Sequence, residues 1–586
     1  MILEMEKLEY VSDYVIWLLK RLGVEYIAVN PGASVKALLD STTYLEDEAP
    51  KIILCLHEEI AVGVAHGYSK AKGKPMAVLL HDVVGLLNAS MAIFNAWCDN
   101  SPVMAVGGTG PLSVEKRRPW IDWVHTAISQ GKFVEDFVKW YDQPTSLEGC
   151  VLSLIRGYRV AVSDPKGPVY ICISQDLQEE KLGDRFVPNL ALFSPPELGA
   201  LDVEVASKIE DELLRADFPV IVADFVGRNK NAFYELPKLA EALGAALVDL
   251  YGRLNFPNNH PLDLTGSSIL SEADTILALD VKDLYGALSE ASHYENASRR
   301  VTRKECKIFH VTAYEPQSRG NIADYQRLQE VHFTAIADTA KVIRQLVKGI
   351  QEKVSNDNVC KERIEERKLR IKERHEQLRR DWLEEALSDV RGGRFTPPSL
   401  AYTIWDVIKG EDWVIGAGSL GGRPGWERRL WVMDRPYRYF GHSWGGGLGY
   451  NLPAAIGVAL AVKEEGRIIL DFQPDGDLLY VASALWTAAK LKLPLLVILL
   501  DNQGYRHSWQ HALEVAKRRG RDLRGAEQYS YIVDPAVNYV KLAEAYGVMA
   551  FGPFEDLEGF KDSLKGTIKE VKKNRPVLLH VKMMEK

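Results

Sequence analysis

Asp475, Asn502 and Gly504 offer a carboxylate, an amide oxygen and a backbone carbonyl, three hard donors of the kind Mg²⁺ takes. Asn502 stands 27 positions after Asp475, within RIILDFQPDGDLLYVASALWTAAKLKLPLLVILLDNQGY. That stretch reads as strand, loop, helix, strand, loop. If the strands are parallel and joined by a right-handed crossover, both loops open at one carboxyl edge, where open α/β sheets bind ligands. Two phosphate oxygens and a water would complete an octahedron, so a diphosphate is the natural complement. A helix expected to begin near Leu478 would aim free N–H groups at that anion.

Other segments carry chemistry of a different kind. A glycine cluster in GHSWGGGLGYNLPAAIGVAL (441–460) precedes a helix opened by Pro453, and missing Cβ atoms there allow close backbone approach to a ligand. Glu58 lies in CLHEEIAVGVAHGYSKAKGKP, after a strand and before a helix, whereas Glu59 reads as an ordinary acid favoured by the helix dipole. His81 opens HDVVGLLNASMAIFNAW, and an imidazole there could move protons near neutral pH.

These segments, in this order, resemble the decarboxylase and carboligase branch of the thiamine diphosphate enzymes, which includes benzoylformate decarboxylase and acetolactate synthase. Asp475, Gly476 and Asn502 stand at the positions of the family's GDG, spacer and NN motif, with Asp477 in the same loop. Pro474 replaces the motif's first glycine and Asp501 its first asparagine. Pro474 removes one N–H and fixes φ without touching the ligands. Asp501 is either a solvated strand-end carboxylate or a partner to them.

The resemblance implies further roles. The Gly446 carbonyl would accept from the 4′-amino group of the cofactor and Leu448 would wedge its two rings into a V. Ser419 and Leu420, in IGAGSLGG, would bind diphosphate oxygens through backbone donors. Glu58 would hydrogen-bond the pyrimidine N1′, favouring the imino tautomer that takes the C2 proton. Asn30, Pro31 and Gly32 of VNPGA match the NPG turn on the pyrimidine side, and His81 falls in the substrate pocket. Ala33 stands where benzoylformate decarboxylase has a pocket serine, so that substrate does not carry over. His442, Tyr505 and His507 are weaker candidates for the substrate end of the cleft.

The implied reaction is decarboxylation of a 2-oxo acid, carboligation, or both, giving an aldehyde or acyloin; the thiazolium supplies the electron sink. Acetolactate synthase-like condensation and a non-catalytic cofactor-binding homologue are the alternatives. FAD stays open as a second cofactor, yet no flavin signature supports it, and VADFVGRNK (222–230) lacks a GxGxxG turn. A homodimer is the smallest competent unit implied, because the cofactor bridges two subunits, and a homotetramer is the usual outcome.

Positioning these groups requires three α/β blocks, each a central parallel sheet flanked by helices. Short β-branched runs alternate with amphipathic stretches, the signature of βα units. The expected arrangement is a pyrimidine-binding domain over 1–185, a Rossmann-like central domain over 195–350, a charged linker helix within 351–394, and a diphosphate-binding domain over 395–586. The linker, KERIEERKLRIKERHEQLRRDWLEEALSDV, is charged on nearly every face and predicts a solvated helix.

Composition fits a soluble protein: 586 residues, 46% apolar, 26% charged, net charge −8. No basic stripe points to nucleic acid, no secretory pattern opens the chain, and no apolar run reaches the ~18 residues of a membrane span. Cytoplasmic location is the expectation. Six scattered cysteines without a CxxC pair argue against zinc and disulfide frameworks and predict reduced thiols.

Overall fold

The computed structural model describes residues 7–183, 187–292, 297–313 and 327–583. Three parallel sheets dominate it. The first comprises β1 (Tyr26–Val29), β2 (Lys51–Leu54), β3 (Met76–Leu80), β4 (Val103–Thr109), β5 (Tyr141–Asp142) and β6 (Val169–Ser174), in the order β2-β1-β3-β4-β6-β5. The chain leaves β1 toward β2 on one side and then returns to β3 on the other. A crevice therefore opens beyond the carboxyl ends of β1 and β3.

The second sheet contains β7 (Pro219–Ala223), β8 (Ala246–Asp249), β9 (Thr275–Leu279), β12 (Lys307–Thr312) and β13 (Phe333–Ile336), beside a two-stranded hairpin of β10 (Ser289–Ser292) and β11 (Ala297–Arg300). The hairpin and β13 leave little trace in the sequence. SEAS and ASRR carry no apolar alternation, and β13 occupies the start of a stretch that reads as helix from 335. The Asp338 side chain accepts from Lys341 N, so the helix starts only at Thr339 and Phe333–Ile336 are free to pair with β12.

The third sheet is β14 (Trp413–Ala417), β15 (Ile468–Pro474), β16 (Leu495–Asp501), β17 (Met549–Phe554) and β18 (Val577–Lys582), in the order β14-β15-β16-β18-β17. Its central strands are buried on both faces, which is why they read as unbroken apolar runs. The expected domain boundary near 185 falls at 184–186, outside the described residues.

The charged linker forms one helix, Asn358–Arg391, but it is not solvated all round. Cys360, Ile364, Arg367, Ile371 and His375 recur at helical spacing and are buried, with the apolar members in the core of the second sheet. The Arg367 guanidinium donates to the carbonyls of Leu243 and Leu214. One long basic side chain thus satisfies orphaned carbonyls while its stem packs, a use that a charge pattern hides.

The helix Glu58–Lys72 crosses the helix Asn451–Ala461, buried from Leu452 onward, at backbone contact. A Cβ on Gly67 would lie 2.0 Å from Ala454 O, and one on Gly457 2.0 Å from Val64 O. Only glycine allows that approach. A buried polar cluster seals the same junction: Lys70 Nζ meets Asp99 Oδ2 and the Tyr450 hydroxyl at 2.8 Å each, and Asp99 Oδ1 accepts from Trp444 N at 2.7 Å. All six cysteines are buried and free, and no helix among the described residues is long and apolar enough to cross a membrane.

Candidate cofactor and active site

β15 and β16 are adjacent and parallel, with Pro474 opposite Leu500, so the loops holding Asp475 and Asn502 leave the same sheet edge side by side. Asp475 is fully buried. Burial, and then the neighbouring Asp501, push its carboxyl up to about 7 against the N–H groups of Gly476 and Gly504. Its Oδ2 has no hydrogen-bond partner. The Asn502 amide presents its oxygen to two acceptors; were the amide turned to offer nitrogen, it would lie 3.2 Å from Asp475 Oδ1 and 2.7 Å from Gly504 O. With nitrogen offered, those two contacts are hydrogen bonds; with oxygen offered, three oxygens face one another and a cation among them would relieve the repulsion. The donor set therefore fits Mg²⁺.

Local backbone geometry explains the sequence here. Gly504 has φ +146°, and a Cβ on it would fall 2.1 Å from Ser530 O. The Tyr505 ring packs on Gly476, where a Cβ would meet it at 2.7 Å. The helix begins at Asp475 rather than near Leu478 and ends at Tyr480, because Pro474, extended at ψ 146°, serves as its N-cap. Asp501 is buried rather than solvated: burial raises its carboxyl, but His580 Nε2 at 2.8 Å and Gln503 N at 3.0 Å hold it below the usual range. It is a tied partner of the ligand loop.

Asp477 is occupied within the protein. Gly449 N donates to its Oδ1 at 2.8 Å and Gln473 Nε2 to its Oδ2 at 2.7 Å, so it locks the glycine turn to the loop of Asp475. In that turn Gly446 adopts φ +63° with nothing within 4 Å of a Cβ, and Leu448 is 36% exposed, an apolar side chain left open at the sheet edge. Ser419 and Leu420 follow β14, but their donors are partly spent. Ser419 Oγ and Leu420 N each donate to the buried Glu427 carboxylate at 2.8 Å. Leu420 N–H is thus not free for a diphosphate, a correction that the distant Glu427 made invisible in sequence.

The first sheet supplies the other half. Asn30, Pro31 and Gly32 follow β1, Glu58 follows β2 and His81 follows β3. Glu58 is 5% exposed, first in its helix, and accepts from Asn88 Nδ2 at 3.3 Å. Gly85 closes over it, with a Cβ there only 3.4 Å from Glu58 Oε1. Gly32 must be glycine for the pocket to exist, since a Cβ would lie 2.2 Å from His81 Cγ. His81 Nδ1 bonds Ser34 Oγ at 2.9 Å, and burial holds this imidazole below its ordinary value.

Several functional neighbours escaped sequence reasoning. Ser34 sits one place after the Ala33 noted above and is His81's partner; Asn88 lies two turns into the helix after His81. Glu59 is not an ordinary dipole-stabilised acid. It is pushed to about 7 by burial and then by Asp477, and lies against Gly449, where a Cβ would come within 2.7 Å of its Oε1. His442 lends its carbonyl to Lys70, and His507 meets His511 edge to face in the helix Arg506–Arg518, which has no buried residue.

The same two regions match known sequence families. Residues 10–132 match the thiamine pyrophosphate enzyme N-terminal TPP binding domain, and 419–581 match the C-terminal TPP binding domain. The chain belongs to the thiamine pyrophosphate enzymes. Among relatives of this thiamine pyrophosphate enzyme, benzoylformate decarboxylase of Pseudomonas aeruginosa is 25% identical across 96% of this chain and 97% of its own. A probable chloroplastic acetolactate synthase of Oryza sativa is 24% identical across 92% of this chain and 78% of its own. A thiamine diphosphate-dependent 4-hydroxybenzoylformate decarboxylase from Rhodococcus jostii superposes with a TM-score of 0.75 at 21% identity, over 98% of this chain and 99% of that one, and so shares the fold.

Proposed function

We propose that this thiamine diphosphate enzyme acts on a 2-oxo acid by decarboxylation, carboligation, or both, with Mg²⁺ held by Asp475, Asn502 and the Gly504 carbonyl. The observations that carry the reading are the meeting of the Asn502 amide with Asp475 Oδ1 and the Gly504 carbonyl, and the buried, unpartnered Oδ2 of the same Asp475 carboxylate. When bound, the cofactor supplies a nucleophilic carbon and an electron sink for the bond to CO₂. Glu58 holds a proton at the pyrimidine nitrogen, in a site that Asn88 orients and Gly85 closes to water. Leu448 orients the cofactor by packing, and His81, steadied by Ser34, moves a proton to or from the substrate-derived group. Asn30, Pro31 and Gly32 shape the wall behind it.

The two half-sites require a second copy of the chain to close one cofactor between them. The helix Asp82–Cys98, beside Glu58, supports this by exposing Val84, Leu87 and Met91 at helical spacing, with Leu87 50% exposed. A homodimer is the minimum, and sedimentation would report it. Similarity of the same order to acetolactate synthases favours a second reading, condensation of two 2-oxo acids. A panel of 2-oxo acids, assayed with Mg²⁺ and thiamine diphosphate for CO₂ and for aldehyde or acyloin, separates the two; the absence of CO₂ from every member would refute both.

A further inference from the structure

His81 and Asp82 close β3, and His125 comes from the segment after β4, the neighbouring strand. One ligand atom from each of the three lies within 4.8 Å of the other two. His81 Nδ1 is 3.4 Å from Asp82 Oδ2, and the rings of His81 and His125 meet edge to face with centroids 5.4 Å apart. Asp82 Oδ1 and His125 Nδ1 are both buried without a hydrogen-bond partner. A buried polar atom left unmet is destabilising, and a metal ion would satisfy both at once.

The surrounding charge is compatible with a cation. Arg118 is the basic neighbour, but Asp122 pairs with it at 2.8 Å, and Glu58 adds negative field from the other side. His81 Nδ1, which faces Asp82, also accepts from Ser34 N at 3.3 Å and meets Ser34 Oγ at 2.9 Å, so an ion taken by that nitrogen displaces Ser34. Two imidazoles and one carboxylate with open positions suit Zn²⁺-class ions, whereas the all-oxygen set at Asp475 suits Mg²⁺. Ligands in a tetrahedral zinc shell lie roughly 3.3 Å apart, so side-chain rotation closing at most about 1.5 Å completes the site.

We infer that His81, Asp82 and His125 form a second metal site, selective for a transition-metal ion such as Zn²⁺ and separate from the Mg²⁺ donors. Occupying it takes the His81 lone pair out of proton transfer, so the ion acts as an inhibitor.

Calorimetric titration of Zn²⁺ into the full chain, with saturating Mg²⁺ and thiamine diphosphate, tests this directly. One saturable site per chain is expected, with visible absorption bands when Co²⁺ replaces Zn²⁺. His125→Asn and Asp82→Asn should each weaken Zn²⁺ at least tenfold. The double variant His507→Ala, His511→Ala, which removes the histidine pair of the helix Arg506–Arg518, should leave the site intact. Absence of saturable binding, affinity unchanged in both His125→Asn and Asp82→Asn, or loss of the site in the double variant would each overturn the inference. None of these readouts depends on turnover, so failure here leaves the proposed reaction standing, and failure of the reaction leaves the metal site standing.

Discussion

At the edge of the first sheet Glu58 is buried, with Asn88 as its hydrogen-bond partner and Gly85 closing over it. At the edge of the third, Asp475, Asp477 and Asp501 crowd into adjoining loops, and two of the three are fully tied: Asp477 to Gly449 N and Gln473, Asp501 to His580 and Gln503 N. Of these three, only Asp475 keeps a buried oxygen unpaired. On the function proposed above, the contrast teaches how two parallel sheets would serve opposite ends of one cofactor. A proton carrier needs a dry site with few competing charges, while a cation site needs several acids, each but one already paid for by N–H donors or a histidine.

Mutations should separate the two edges. Glu58→Gln should lower kcat by ~10²–10⁴-fold while calorimetry still shows Mg²⁺-dependent cofactor binding. Asp475→Ala should do the reverse in order of events: cofactor affinity and its metal dependence fall at least tenfold, and activity recovers in part at high Mg²⁺ and cofactor. If the two variants gave the same binding defect, the division of labour would be wrong. His81→Ala should cost ~10²-fold in kcat with cofactor affinity unchanged, measured by steady-state kinetics beside titration.

Gly504→Ala combines a left-handed φ with a collision against Ser530 O, and should destabilise the fold by ~1–3 kcal/mol in denaturant unfolding while weakening Mg²⁺. The smallest effect is expected at Glu59. Its carboxyl is raised from 4.5 to about 7, so the folded state favours the protonated form; the associated stability is full below pH 4.5 and is lost as pH rises toward and through 7. Because Glu59 is only part-buried, Glu59→Gln should gain about 1 kcal/mol or less over the native chain at pH 8 and nothing at pH 4. Equal pH profiles for the two proteins would remove Glu59 from the domain junction.

Much of both edges was legible from residue order. The strands of the first and third sheets show as β-branched runs because burial on two faces demands them, and loops at their carboxyl ends had to meet if the connections were right-handed. What escaped notice were partners contributed from elsewhere in the chain. Glu427 spends the Leu420 N–H, His580 fixes Asp501, and Arg367 turns a charged helix face inward. None of these follows a period or a motif, because a hydrogen bond between distant segments leaves no local pattern.

By itself the sequence determined the donor types, their spacing along adjacent strands, and the glycines without which Gly32 would clash with His81 and Gly504 with Ser530. Those depend on short-range backbone geometry and side-chain chemistry. Tertiary structure alone decided which acids stay unpaired, that Ser34 and not Ala33 steadies His81, and that His125 joins His81 and Asp82. The reason is physical: burial and pairing set what a carboxyl or imidazole can do, and both are properties of the packed neighbourhood rather than of the residue.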